Sequence, residues 1–228
     1  MIKICVSGSR GKMGSRILAL AKEDSALQVN GEFDIDADPE PFIKQCDCLI
    51  DFTAPKATMS HLSLCEKHKK AMVIGTTGLS DPEKDAIEKV SQKIPIIFSP
   101  NMSMGVNLVF GLVTEAAAML GNEYLVSIKE AHHIHKKDAP SGTAKEIARL
   151  IKESRPDADI PIESIREDEI VGDHTVTFEG PFDRIQISHS AKTRDIFAKG
   201  ALEAAKFISK KKKGLFAMPD VLFQFSKK

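Results

Sequence analysis

Residues 2–14 read Ile2-Lys3-Ile4-Cys5-Val6-Ser7-Gly8-Ser9-Arg10-Gly11-Lys12-Met13-Gly14, a short apolar run that ends in glycines spaced G-x-x-G-x-x-G. An apolar run of this length is a strand. Met13 to Glu23, with Ile17, Leu18 and Ala21 apolar at helical spacing, is a helix. Glycines at such a junction allow a tight turn and let backbone amides approach a pyrophosphate, which then rests on the positive end of the helix. Asp34 ends the second strand, Leu27 to Phe33, and stands 20 residues after Gly14. A carboxylate there accepts hydrogen bonds from an adenosine ribose diol. Together these features indicate a dinucleotide site rather than a plain structural turn.

Outward from this turn, the first hundred residues alternate short apolar and amphipathic runs, the pattern of a parallel sheet with crossover helices. Cys48 to Phe52, Ala71 to Ile74 and Ile94 to Phe98 read as buried strands. Helices are expected from Pro55 to Lys70, with Leu62, Leu64 and Cys65 towards the sheet, and from Asp81-Pro82, where proline suits the first turn. After Asn101 the rhythm changes. Val106 to Leu120 reads as a long apolar helix, Tyr124 to Ala131 as a strand, and Thr143 to Glu153 as a helix with Ile147, Leu150 and Ile151 on one face. Thr143 to Glu146 has the capping-box spacing. His174 to Phe178 and Arg184 to His189 suggest an antiparallel pair around Gly180-Pro181, and Asp195 to Ser209 a further helix. The run Lys210 to Lys213 reads as a solvated helix end. There is no internal repeat and no low-complexity segment.

The 228 residues are 42% apolar and 28% charged, enough to bury a sizeable core, which excludes disorder. Lys and Arg number 32, as do Asp and Glu, so no global basic field exists to hold nucleic acid or an anionic membrane. Residues 94–114 lack charge, but Pro95, Pro100, Asn101, Ser103, Gly105 and Asn107 break them into a strand, a polar loop and a helix start rather than a membrane span. The first residues hold no long apolar signal core. Cys5, Cys46, Cys48 and Cys65 form no C-x-x-C pair and read as reduced, mostly buried thiols. A soluble, cytoplasmic protein is expected.

Further small-residue loops fall at strand ends: Asp51-Phe52-Thr53, Gly75-Thr76-Thr77-Gly78 and Ser99-Pro100-Asn101-Met102. In open α/β sheets ligands bind outside the carboxyl ends of the strands, so a nicotinamide ring belongs among these loops. The most informative stretch is Glu130-Ala131-His132-His133-Ile134-His135-Lys136-Lys137-Asp138-Ala139-Pro140-Ser141-Gly142-Thr143-Ala144. Leaving a strand in extended form, it would set His132, Ile134 and Lys136 on one side and His133 and His135 on the other. A histidine and a lysine on one side supply a proton and positive charge to one substrate. Ser141-Gly142-Thr143 places hydroxyls and first-turn amides at a helix start, which suits a carboxylate or phosphate. Zinc at His133, His135 and Asp138 has plausible ligand types, but Lys136 and Lys137 would repel the cation, and Cys46-Asp47-Cys48 is no better a site. No metal is expected.

The motif E-A-H-H-I-H-K-K-D-A-P-S-G-T-A resembles the signature of the 4-hydroxy-tetrahydrodipicolinate reductase (dihydrodipicolinate reductase) family, and the resemblance covers nearly the whole chain. It takes in the opening G-x-x-G-x-M-G turn, D-F-T at Asp51, G-T-T-G at Gly75 and S-P-N-M-S-x-G-V-N from Ser99. It also takes in I-V-G-D-H-T at Ile170 and G-L-F-x-M-x-D-V-L near the end.

The resemblance implies an α/β protein: a Rossmann-like dinucleotide-binding domain of residues 1–103 and 194–228, and an α+β substrate-binding and tetramerisation domain of residues 104–193 with a mixed sheet. It implies reduction of a cyclic dicarboxylic imine with NADH or NADPH in lysine biosynthesis by a homotetramer. Carried over by motif, His132 and Lys136 handle the proton, while His133, Ser141, Gly142 and Thr143 hold substrate carboxylates. Gly8, Ser9, Arg10, Gly11, Lys12, Met13, Asp34, Gly75, Thr76, Thr77, Ser99, Pro100, Asn101 and Met102 line the cofactor. Hydride addition to an unsaturated imine leaves an electron-rich enamine that needs a proton, so an acid beside the ring agrees with this scheme. Two departures stand out. The segment from Asp34 to Asp51 is too short for a full second crossover helix. Ile35 stands where some members carry a basic residue, and with Asp34 this points to a modest NADH preference. The rival readings are another nicotinamide-dependent imine or semialdehyde reductase and an NADH-sensing protein without turnover.

Overall fold

The protein is described from a computed structural model, covering residues 1–224. In chain order the elements begin with β1 (Ile2–Ser7), α1 (Lys12–Lys22), β2 (Leu27–Phe33), α2 (Glu40–Gln45), β3 (Cys48–Asp51), α3 (Pro55–His68), β4 (Ala71–Ile74), α4 (Asp81–Ser91) and β5 (Pro95–Phe98). Then follow α5 (Met104–Met119), β6 (Leu125–His132), α6 (Gly142–Ser154), β7 (Ile162–Arg166), β8 (Asp173–Glu179) and β9 (Arg184–Ser190). The last elements are α7 (Asp195–Ile208), β10 (Gly214–Phe216) and α8 (Met218–Phe223). The chain forms two compact units, one of Met1–Met104 with the chain from Asp195 onward, the other of Gly105–Arg194. Among the described residues no helix is long and apolar enough to cross a membrane.

The first unit is built on a six-stranded sheet in the order β10-β5-β4-β3-β1-β2, parallel throughout. A parallel sheet is covered on both faces, so its central strands read as unbroken apolar runs. Ile4, Val6, Ile50, Val73 and Ile97 point to one face and meet Ile17, Leu18 and Ala21 of α1 and the alanine-rich side of α7. The intervening Cys5, Leu49, Met72, Ile74 and Ile96 point to the other and meet Leu62 and Cys65 of α3 and Ile87 of α4. All four cysteines are free and buried. Burial pushes the Cys48 and Cys65 thiols well up, which leaves them inert.

The second unit carries a four-stranded mixed sheet, β7-β6-β8-β9, with β6 parallel to β7 and the other pairs antiparallel. Val126 and Ile128 of β6 and Val176 and Phe178 of β8 pack against Val113 and Ala117 of α5 and Ile147 and Ile151 of α6. The period-two burial of β6 continues past Ile128, so Glu130 and His132 occupy the same buried face as the core residues before them. His174 does the same in β8. The alternation that makes the core thus delivers three ionisable groups to its end.

The structure corrects two expectations about helix ends and adds two strands. The cap of α6 is Ser141, whose Oγ accepts from the Ala144 amide at 3.2 Å. Thr143 lies inside the helix and Glu146 binds Arg149 instead, so the capping-box reading fails because the helix starts earlier. The strands β7 and β10 had no reading, since neither has a clean apolar alternation. The lysine run lies beyond α7, and Lys211 is more than a solvated end. Its Nζ sits 4.5 Å from the Phe207 ring centroid and 5.5 Å from that of Phe216.

The junction of β1 and α1 generates a prediction. A Cβ on Gly14 would lie 2.1 Å from the Gly8 carbonyl oxygen, with backbone on both sides and no flexible atom to yield. Gly14→Ala should therefore cost about 1–3 kcal/mol, the range for overpacking, and show as a lower Tm in thermal melts.

Candidate functional sites in the two units

In the first unit the small-residue loops gather at the carboxyl ends of the parallel strands. Gly8 has a φ of 66°, a left-handed conformation that glycine adopts without strain, and the Gly11 amide donates to its carbonyl at 3.0 Å. The turn leaves Lys12 and Met13 in the first turn of α1. Gly8, Gly11 and Gly14 leave the bare backbone cradle that a pyrophosphate needs, so the residues fit a dinucleotide. Asp34 follows β2 and accepts from the amides of Arg10 at 3.0 Å and Ile35 at 2.9 Å. These amides, the first named most, hold its carboxyl below the usual range. The Arg10 guanidinium stands 3.5 Å from Asp34 and pairs with Asp36.

The remaining loop residues divide by what they offer. Gly75 lies against the Phe52 ring so closely that a Cβ would be 2.2 Å from it. Thr76 is buried and its Oγ1 accepts from the Thr58 hydroxyl at 2.8 Å, whereas Thr77 is exposed. Ser99 donates its hydroxyl to the Asn101 carbonyl, Asn101 accepts from the Ser103 amide, and Pro100 is exposed. The Met102 side chain belongs to the core. The sequence placed Asp51 in a strand-end loop but missed what it holds together beneath it. Asp51, fully buried at the end of β3, accepts from the Thr53 amide and hydroxyl and bonds His61 Nδ1 at 2.8 Å. Its signal was a single acidic residue closing an otherwise apolar strand.

In the second unit the centre is Glu130, with 0% exposure. Its Oε1 accepts from Arg166 at 2.8 Å and from the Ser141 amide at 3.2 Å. Its Oε2 accepts from Arg166 at 3.1 Å and is hydrogen-bonded to Nδ1 of His132. Burial alone would raise this carboxyl, but Arg166 and His132 outweigh it and hold it down at about 2. His132 is lowered by its burial, which prevails over the pull of Glu130, with Lys136 and Arg166 adding to the lowering. Its burial thus favours the uncharged ring. His174 lies edge-on to it at 5.2 Å and is pushed down to about 4, first by burial and then by His132. His174 Nε2 shares a 3.2 Å bond with the Ser141 hydroxyl, and its Nδ1 has no partner among the described residues.

The chain beyond β6 departs from the extended form expected of it. The Lys136 amide donates to the His133 carbonyl at 3.0 Å, closing a turn at Ile134 and His135. Ile134 consequently points to solvent while His132 is buried, so strand alternation is not what relates His132 to Lys136. The structure still sets Lys136 within electrostatic reach of His132, and its Nζ pairs with Asp138 at 2.8 Å. His133 has a buried Nδ1 without a partner among the described residues and meets Arg194 through Nε2 at 3.2 Å. Ser141 is engaged at its amide and hydroxyl, while the first-turn amides of Gly142 and Thr143 carry the positive end of α6. Ligand atoms of Glu130, His132 and His174 lie within 4.8 Å of one another, but the Arg166 guanidinium already occupies both Glu130 oxygens where a cation would sit. Arg166, Glu130 and His174 were missed as site residues. Glu130 and His174 lay inside quoted motifs, and only the burial of a charged residue two positions before His132 could have singled one out.

Comparison with known proteins settles what this arrangement belongs to. Residues 2–102 match the model for the N-terminus of dihydrodipicolinate reductase, and residues 105–222 match the model for its C-terminus. The chain belongs to the dihydrodipicolinate reductase family. It is 35% identical to the 4-hydroxy-tetrahydrodipicolinate reductase of Syntrophotalea carbinolica, covering 97% of this chain and 99% of the relative. To that of Syntrophus aciditrophicus it is 37% identical, covering 97% and 98%. Both alignments run over 264 positions, more than the 228 residues here, so they leave gaps in this chain. The dipicolinate-bound dihydrodipicolinate reductase from Paenisporosarcina sp. TG-14 shares the fold, with a TM-score of 0.86 at 24% identity over 95% of this chain and 97% of that one. The family is one of pyridine-nucleotide-dependent reductases, and its oxidoreductase character holds for this chain.

The buried histidines make acid stability a measurable consequence. His174 falls from its ordinary 6.5 to about 4 in the folded chain, so on acidification the unfolded chain takes up the proton first and stability is lost as pH drops from about 6.5 towards 4. His132 and His189, also lowered, act in the same direction. The fall in Tm between pH 6.5 and pH 5 should be smaller in His174→Gln than in the wild type. Equal falls would show that His174 titrates normally.

Proposed function

We infer that the chain reduces 4-hydroxy-tetrahydrodipicolinate to tetrahydrodipicolinate with a pyridine nucleotide, in the diaminopimelate route of lysine biosynthesis. The observation that carries this is the match of both halves of the chain to the two halves of one reductase family. Bound in the first unit, the reduced nicotinamide supplies a hydride. Gly8, Ser9, Arg10, Gly11, Lys12 and Met13 hold the pyrophosphate and Asp34 the ribose diol. The backbone of Gly75, Thr76, Thr77, Ser99, Pro100 and Asn101 lines the remainder, with Met102 buttressing the last of these loops from the core.

In the second unit the substrate's two carboxylates meet positive charge and amide dipoles. His133 with Arg194 behind it supports one carboxylate, and the start of α6 at Ser141, Gly142 and Thr143 supports the other. Hydride addition leaves an enamine whose carbon takes a proton. His132 and Lys136 supply it: Lys136 brings a cationic ammonium, and His132 brings Nε2, the ring nitrogen not bonded to Glu130. Two carboxylates arriving beside a neutral buried imidazole favour its charged form, so substrate binding loads the acid. Residues 1–103 and 194–228 act as the dinucleotide domain, and residues 104–193 as the substrate and tetramerisation domain of a homotetramer. The free, buried thiols suit the reducing cytoplasm.

Loss of NADH absorbance on adding freshly made 4-hydroxy-tetrahydrodipicolinate tests this reading. Cofactor binding without turnover would make the chain a sensor, and turnover only with other imines or semialdehydes would reassign the substrate. His132→Ala and Lys136→Ala should each lower kcat by about 10²–10⁴-fold, the worth of general acid catalysis, with NADH binding nearly intact. Normal kcat in both variants would remove them from the proton-handling role.

Cofactor choice follows from the charges around the ribose. Asp34 and Asp36 both face Arg10, the cation nearest the expected place of a 2′-phosphate, and Ile35 adds no charge. Both cofactors should work, with kcat/KM modestly favouring NADH, and Asp34→Ala should narrow or reverse the preference. A strong preference of the wild type for NADPH would show that Arg10 or Lys12 outweighs the carboxylates.

A further inference from the structure

The proton on His132 cannot be placed by the histidine alone, because its two ring nitrogens are alike until something binds one of them. Here Nδ1 is bonded to Glu130, a carboxylate with no exposure and a net acceptor. The other edge of the ring faces a position without a side chain: a Cβ on Gly172 would lie 3.0 Å from Nε2. The carboxylate cannot turn away from the ring. Arg166, opposite His132 in the parallel register of β6 and β7, grips both of its oxygens. The same guanidinium donates to the Asp138 carbonyl at 2.5 Å, in the loop that carries Lys136. One arginine thus ties the carboxylate behind His132 to the segment that carries the other proton-handling residue.

We propose that Glu130, clamped by Arg166, is a positioning residue that fixes His132 in the tautomer with Nδ1 protonated, so that Nε2 is the atom that takes up a proton and delivers it to the substrate. Nothing in the step changes oxidation state. A proton from solvent joins the bare Nε2, then leaves it for the enamine carbon, and Nδ1–H stays with Glu130 throughout. This rests on the proton-handling role proposed for His132 and adds the element that makes the role directional. The charged and titratable groups around the ring are Glu130 on its own strand, Arg166 of β7, His174 of β8 with His189 beside it on β9, and Lys136 with Asp138 in the loop. Of these Glu130 is the one bonded to the ring.

The test has two arms. In the wild-type protein with ¹⁵N-labelled histidine, His132 is assigned by comparison with His132→Gln. It should show a protonated Nδ1 and a bare Nε2 at neutral pH. An Nε2–H tautomer, or an even mixture, overturns the proposal, and this arm needs neither turnover nor a variant at Glu130. In the second arm, Glu130→Gln should lower kcat about 10–100-fold, part of what general acid catalysis is worth. The affinity for pyridine-2,6-dicarboxylate should stay within about threefold. Removing the negative charge disfavours the protonated ring, so the alkaline limb of the kcat profile should move to lower pH. Glu130→Asp should recover part of the rate. Wild-type kcat and an unmoved profile in a folded Glu130→Gln overturn the proposal. If Glu130→Gln does not fold, the wild-type spectrum decides alone. A wild type that binds NADH yet never oxidises it with substrate refutes the proposed reaction instead, and leaves the tautomer measurement to stand by itself.

Discussion

A carboxylate taken wholly out of water has to be answered by donors on every side, and in the second unit the donors that answer Glu130 come from separate pieces of chain. Arg166 closes β7, the Ser141 amide begins α6, and His132 ends β6. Each of these segments is held where it is partly because the carboxylate would otherwise be unpaired. Leaving a buried charge without its partner costs about 3–5 kcal/mol, more than most single contacts contribute. The same carboxylate sets the electrostatics of the site. It keeps Arg166 from being an uncompensated cation beside His132, and it holds the buried imidazole in a defined orientation.

The first unit solves a different problem with less charge. Its loops at the carboxyl ends of the strands leave room for backbone rather than side chains, since a Cβ would press on the Thr53 methyl at Gly8, the Gly8 carbonyl at Gly14 and the Phe52 ring at Gly75. Beneath them lies another fully buried carboxylate, Asp51, bonded to His61 and to both the amide and hydroxyl of Thr53. Thr53 in turn packs against Gly8, whose absent Cβ would lie 3.0 Å from its Cγ2. A buried acid at the carboxyl end of a strand therefore shapes the loop in both units, through a hydroxyl in one and an imidazole in the other.

What the sequence revealed follows the range over which its signals act. The strands β1 and β4 were legible to the residue because a parallel sheet buries both faces of its inner strands and leaves a largely apolar run, and β2 was legible between the turns that bound it. The glycine turn was legible because φ and close approach restrict residue type locally. Edge strand β10 and the polar β7 were not, since what makes Gly214–Phe216 or Ile162–Arg166 a strand is a partner far away in the chain. The histidine segment shows the same limit within one motif. His132 and Lys136 stood out by type, but their relation was drawn from strand alternation, whereas a turn at Ile134 and hydrogen bonds to residues 168 and 170 decide it. Arg166 carries no local mark at all. Its role exists only once β7 lies beside β6.

The second crossover of the parallel sheet is covered by a short helix. Other crossovers on the parallel sheet carry helices such as α1 with 11 residues and α3 with 14, but α2 has only six. So short a helix cannot cover a sheet face with a ladder of aliphatic side chains. Instead Phe42 stacks on Phe33 with ring centroids 5.6 Å apart and lies against Gly31, where a Cβ would be 3.0 Å from its ring, while Ile43 beside it is fully buried. Gly31 follows the register shift between β1 and β2, so the strand is narrowed at the place where the aromatic ring must fit. A phenylalanine buries far more surface per backbone residue than the alanines and leucines of a longer helix. With two stacked rings and a glycine to receive one of them, a six-residue helix covers the end of β2 at Gly31 and Phe33.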